Sequence, residues 1–128
     1  MASRKLSAQR LQEIHDFAAQ WGKIVARRAC GESAPDRTLD FQAMEEVAAA
    51  AAAGLTEGTL DTLLEEQAQT LAPEQACPDC GRLCPVQYAD RPLTVRGGHL
   101  TWHEPVCHCP ACRRDFFPPT VCPAPGQP

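Results

Sequence analysis

The stretch Cys77-Pro-Asp-Cys80-Gly81-Arg-Leu-Cys84-Pro85, answered further on by Cys107-His-Cys109-Pro-Ala-Cys112-Arg-Arg-Asp-Phe-Phe117, decides the fold. It holds two C-x-x-C pairs, Cys77/Cys80 and Cys109/Cys112, with 28 residues between them. A structural Zn²⁺ takes four ligands at tetrahedral corners. One C-x-x-C turn places two thiolates on one side of the ion, and a second turn across a hairpin closes the other side. Gly81 permits the tight turn of the first knuckle. The separation exceeds the roughly 15–20 residues common in such sites, but a hairpin that does not touch the metal is free to vary in length. The spacing therefore predicts one structural Zn²⁺ per chain on Cys77, Cys80, Cys109 and Cys112.

The residues between the pairs read as that hairpin. Leu83 to Tyr88 and Leu93 to Arg96 are short strand-like runs, and Gly97-Gly98 is a two-residue turn signal. His99 to Val106 alternates, with Leu100, Trp102 and Glu104 on one face and Thr101, His103 and Pro105 on the other. Pro105 confines that strand to an edge or ends its pairing. Other ligand choices stay open in the sequence. Cys84 competes with Cys80, Cys107 with Cys109, and His108 lies between two Cys. The symmetric pair of C-x-x-C turns is the simplest site, which leaves Cys84 and Cys107 as hairpin residues near the metal. Four thiolates also suit an iron–sulfur centre. Disulfides need an oxidising compartment, and a thioredoxin-like redox motif needs a βαβ context that is missing.

Composition explains why a metal is needed. Hydrophobic residues make up 44% of the 128, yet 20 of the 56 are Ala and 8 are Cys. Only 23 are Leu, Ile, Val or Phe, near the level at which a chain cannot bury enough apolar surface to fold. The modest net charge of -4 argues against wholesale disorder. No run of 18 apolar residues exists, so no membrane span is expected. No apolar segment follows the N-terminus as in a secretory signal. A cytoplasmic location with reduced thiols is the expectation.

The chain divides by composition. Pro35 is the only proline before Pro73, and seven of the eight Cys lie after residue 76. Residues 1–30 carry a net +4, residues 31–76 a net -9 and residues 77–128 a net +1. Residues 1–31 read as a basic amphipathic helix over 6–29. Leu11, Ile14, Phe17, Ala18, Trp21, Ile24, Val25 and Arg28 form one stripe. Ser7 is its N-cap, Gly31 its stop, and Gly22 its weak point. Residues 36–72 read as an acidic, Ala-rich helical segment. It starts at Asp40 as N-cap, with Leu39 and Met44 at staple spacing. Gly54 and Gly58 bracket a break before a helix from about Thr59 to Leu71; two helices or one bent helix both fit. The ribbon covers 77–117. Residues 118–128 read as a disordered tail that can be trimmed without loss of zinc or stability. The predicted fold class is α+β, an α-helical N-terminal segment followed by a small β-hairpin zinc ribbon.

No Ser/His/Asp set, paired-carboxylate motif or phosphate-binding Gly loop appears. His15, His99 and His103 read as surface residues, and Glu45, Glu46, Glu65 and Glu66 as a solvated helix face. Cys30 reads as a small buried residue and Cys122 as a tail residue.

From Cys77 to Pro119 the sequence resembles the zinc-ribbon segment near the N-terminus of bacterial insertion-sequence transposases of the Kra type. The matching residues are Cys77, Pro78, Cys80 and Gly81, then Thr94, Val95 and Gly98, then Cys109, Cys112, Phe116, Phe117 and Pro118. The helices of residues 38–72 also resemble the segment that precedes that ribbon. The family continues into a ribonuclease-H-like catalytic domain. This chain ends 11 residues after Phe117, which gives the expectation of a truncated copy with no catalytic residue to carry over and no small-molecule substrate.

Two functions follow. The first is a transposase-like, non-catalytic fragment with weak, salt-sensitive DNA binding through Arg96, Arg113, Arg114 and the basic first helix. Arg82 and Arg91 are expected to gather with them on one face. The second is an interaction module whose helices pair in a homodimer, with the zinc as a staple. A zinc enzyme is disfavoured, because catalytic zinc keeps an open ligand position.

Overall fold

The computed structural model describes residues 4–118. The architecture is α+β: three helices, then a four-stranded antiparallel sheet in the order β1-β2-β3-β4. The helices are α1 (Ala8–Ala19), α2 (Gly22–Cys30) and α3 (Phe41–Ala68). The strands are β1 (Glu74–Ala76), β2 (Leu83–Val95), β3 (Gly98–Cys109) and β4 (Arg114–Phe116). Contacts divide the chain into two units, Met1–Ala52 and Ala53–Pro128, and the division falls within α3.

In the first unit the caps act as expected. Ser7 Oγ accepts from the Arg10 N–H at 3.1 Å, and Asp40 Oδ1 accepts from the Ala43 N–H at 2.8 Å. Each satisfies a first-turn amide that has no helical partner. Gly31 ends α2 at φ 75°, and its N–H donates to Arg27 O. The single helix expected over 6–29 is in fact two. The Gln20 and Trp21 amides donate back to Phe17 and Ala18, a tightened i→i−3 turn. The helix restarts at Gly22, the poorest helix former in the run.

The opposite correction applies downstream. The break expected at Gly54 and Gly58 does not occur, and α3 is continuous over 28 residues. Each glycine costs about 1 kcal/mol relative to Ala. The Ala run before them and the Leu/Glu-rich turns after them have propensity enough to carry the helix through.

In the second unit β2 and β3 form a long hairpin, paired from Val86↔Cys107 to Val95↔Gly98 without a bulge. The strands run unbroken where the sequence suggested two short pieces and an early end at Pro105, which sits within β3 opposite Tyr88. The turn is Arg96-Gly97, one residue earlier than the Gly-Gly signal. Gly97 takes the positive φ of 80°, while Gly98 lies in the strand against α3. A Cβ there would sit 3.3 Å from Glu57 Cγ. Gly98 thus serves a close approach and Gly97 the turn.

Burial changes face along β3. Trp102 and Glu104 are buried near the middle, Cys107 and Cys109 at the far end. Trp102 and Glu104 pair with Arg91 and Ala89, and Cys107 pairs with Val86. Glu104, buried and acidic, is held by the Arg91 guanidinium at 2.6 Å. Of the reading of residues 118–128 as a disordered tail, only Pro118 falls among the described residues, and it is buried. Residues 119–128, with Cys122, lie outside them.

Candidate metal centre

Two knuckles of the same construction meet at one end of the hairpin. Cys77-Pro-Asp-Cys80-Gly-Arg links β1 to β2, and Cys109-Pro-Ala-Cys112-Arg-Arg links β3 to β4. In the first, the Gly81 N–H donates to Cys77 O at 2.8 Å; in the second, the Arg113 N–H donates to Cys109 O at 2.8 Å. The equivalence was readable in the repeated Cys-Pro-x-Cys-x-Arg string. The residue after each second Cys takes a positive φ, 78° at Gly81 and 57° at Arg113. Glycine does so without penalty, whereas Arg113 bears a left-handed cost of about 1–2 kcal/mol. Arg113→Gly should therefore raise the thermal midpoint of the zinc-loaded protein, by an amount equivalent to about 1 kcal/mol. An unchanged or lower midpoint in a melting experiment would count against stored strain there.

The four Sγ atoms of Cys77, Cys80, Cys109 and Cys112 all lie within 4.8 Å of one another. Cys77 and Cys112 are 3.8 Å apart and Cys80 and Cys109 3.6 Å. A regular tetrahedron with a metal–sulfur bond of about 2.3 Å has an edge of about 3.8 Å. A disulfide would require about 2 Å, and all seven described cysteines are free thiols. The donor set fits a tetrahedral thiophilic cation.

Electrostatics favours that cation. The Cys109 thiol is drawn down to about 6, first by the backbone N–H of Cys112, with help from Cys80, Cys77 and the Ala111 N–H against burial. Cys112 is pushed up to about 12, first by hydrogen bonding with Cys80, then with Cys77, and also by the Cys109 charge. A metal-free cluster thus accepts one negative charge and resists the next. A divalent cation removes the conflict and displaces the protons.

Cys84 and Cys107 do not replace any of the four. Both are buried beside the cluster, Cys84 hydrogen-bonded with Cys109 and Cys107 opposite Val86 and Phe116. Burial is the main cause that pushes both thiols up. With Cys77 and Cys109 they form the hydrophobic cluster of this end, packed with Val86, Cys112 and Phe116. The sequence hid this, because a cysteine's spacing does not say whether it ligates or packs. His108 also stays outside the site, exposed and paired with Asp115 at 2.8 Å. His103 pairs with Asp90 at 2.6 Å, and His99 with Thr94 at 3.3 Å.

The arginines do not gather. Arg96 is at the hairpin tip, while Arg113 and Arg114 stand at the knuckle end, eleven or more residues along β3. At about 3.3 Å per residue that is more than 30 Å. Arg91 is taken by Glu104, and Arg114 is ion-paired with Asp79 of the opposite knuckle. Arg82 and Arg113 are exposed near the cluster.

A long hairpin carrying two C-x-x-C knuckles with four convergent thiols defines a two-knuckle ribbon suited to a metal ion. In comparison with known proteins, no family model, curated protein or solved structure matches the chain.

Proposed function

We propose that the chain is a non-catalytic zinc-ribbon module that binds a protein partner through its N-terminal helices, in the manner of a transposase-like accessory region. The single observation that carries the zinc reading is the convergence of four thiols at tetrahedral separation. Zn²⁺ suits four thiolates, has no redox chemistry, and imposes no geometry of its own. A closed Cys₄ shell leaves no position for a water nucleophile, so the metal is a staple. A reducing, cytoplasmic setting goes with this reading.

The helices support the partner reading. Leu11, Ile14, Phe17, Trp21 and Ile24 are each 48–62% exposed, and no residue of α1 or α2 is buried. Leu11, Ile14 and Phe17 lie three residues apart on α1, with Trp21 and Ile24 at the start of α2, and exposed apolar side chains of this kind are what helices pair through. A second copy of the chain is the simplest partner. Light scattering of the zinc-loaded protein should give twice the chain mass, and Phe17→Glu with Trp21→Glu should return it to one chain with zinc retained. A monomer at all concentrations would remove the homodimer.

DNA binding is the second reading, favoured by the exposure of Arg82 and Arg113 beside the knuckles. Under it, a monomer would shift duplex DNA at low salt and lose it at physiological salt, as phosphate contacts release counterions. Arg96 and Arg114 contribute little to such a face, the first by distance and the second through Asp79.

A further inference from the structure

We infer that the cleft between the C-terminal half of α3 and the hairpin is a binding site for an arginine side chain of a basic peptide. The inference goes beyond the zinc staple and concerns a different part of the second unit.

The cleft has a volume of about 660 Å³ and is lined by Asp61 and Glu65 from α3 and by Tyr88, Trp102 and His103 from the hairpin. Asp61 and Glu65 are four residues apart on one helix, so their side chains stand side by side. Both are exposed, and the ion pairs among the described residues use other acids: Glu13, Asp16, Asp79, Asp90, Glu104 and Asp115. The two carboxylates thus face the cleft without a cation of their own. The opposite wall is aromatic. Trp102 is buried at 6% exposure, so Tyr88, 51% exposed, is the ring open to a ligand on that wall. Asp90 holds the His103 ring at 2.6 Å, which adds a third carboxylate behind that wall.

Acid on one side and aromatic surface on the other is the environment a guanidinium needs. Its planar fork accepts two carboxylate partners, and its face stacks on an aromatic ring. A lysine ammonium is more strongly hydrated and uses only the charge. Phosphate ligands are opposed here by the Asp61 and Glu65 carboxylates themselves.

The test is an NMR titration of the zinc-loaded full chain with acetyl-Gly-Arg-Arg-Gly-amide. The citrulline peptide, isosteric and uncharged, is the control. Saturable amide shifts confined to residues 61–69, 88 and 101–103 are expected, with at least a tenfold weaker response to the citrulline peptide. Asp61→Asn with Glu65→Gln should weaken the arginine peptide at least tenfold, with the zinc content and the remaining spectrum unchanged. Tyr88→Leu should weaken the arginine peptide more than a lysine peptide. Equal response to arginine and citrulline, shifts elsewhere on the chain, or no saturable response would each overturn the inference. Zinc content, measured in the same samples, separates such a failure from a failure of the staple.

Discussion

Cys80→Ser is expected to abolish tight zinc binding and unfold the ribbon from β1 to β4. Native mass spectrometry should find one Zn²⁺ on the parent chain and none stably held by the variant. The amide spectrum of residues 77–117 should collapse at the same time. The size of the effect follows from what is buried. At the knuckle end the interior consists of Cys77, Cys84, Cys107 and Cys109, with Val86, Cys112 and Phe116 packed around it. The only other large buried apolar side chain among the described residues is Trp102. A core below about 70–80 residues rarely supplies more than about 3–5 kcal/mol, and this one is mostly sulfur. Structural zinc in small domains contributes an apparent 10–16 kcal/mol or so at neutral pH, which would outweigh such a core. A chelator should act as the substitution does. Parent chain holding two zincs, or a metal-free ribbon that stays folded, would contradict the staple.

Arg91→Ala should cause a large loss of stability away from the metal. Glu104 has a side chain only 9% exposed, and the Arg91 guanidinium is its partner across the strands at 2.6 Å. Removing the cation strands a buried carboxylate, which costs about 3–5 kcal/mol in fully buried pairs. Arg91 is 37% exposed, so water screens part of the interaction and about 2–3 kcal/mol is the expectation. The zinc-loaded protein should melt about 8 °C lower or more, with zinc content unchanged. Arg91→Met combined with Glu104→Leu should recover most of the loss, because neither charge then remains to be solvated. A drop as large in the double variant as in Arg91→Ala would mean that the residues act through packing alone.

The arginines limit the proposed DNA reading. Asp79, between the two cysteines of the first knuckle, takes up Arg114. Arg91 serves the interior through Glu104. These two arginines are engaged in holding the ribbon together, and Arg96 is carried to the other end of the hairpin. The apolar side chains of α1 and α2, Leu11, Ile14, Phe17 and Ile24, are by contrast exposed.

By itself, the sequence determined the features that act over a few residues. Ser7 and Asp40 cap helices because a short polar side chain reaches its own first turn. The C-x-x-C turns bring their thiols together because two intervening residues leave little other choice, and their pairing across a hairpin follows from spacing. The α+β order was legible for the same reason. Tertiary structure alone decided the rest, where several local solutions were nearly equal in energy. Which of the ribbon's six cysteines converge and which pack depended on register, since Cys107 meets Val86 and Phe116 only when β2, β3 and β4 pair as they do. Glu57 of α3 lies where a side chain at 98 would need space. The burial of Glu104, the pairing of Arg114 with Asp79 and the cleft beside Trp102 likewise join residues distant in sequence. No local propensity encodes such contacts, because their energy exists only once the hairpin, knuckles and helix have come together.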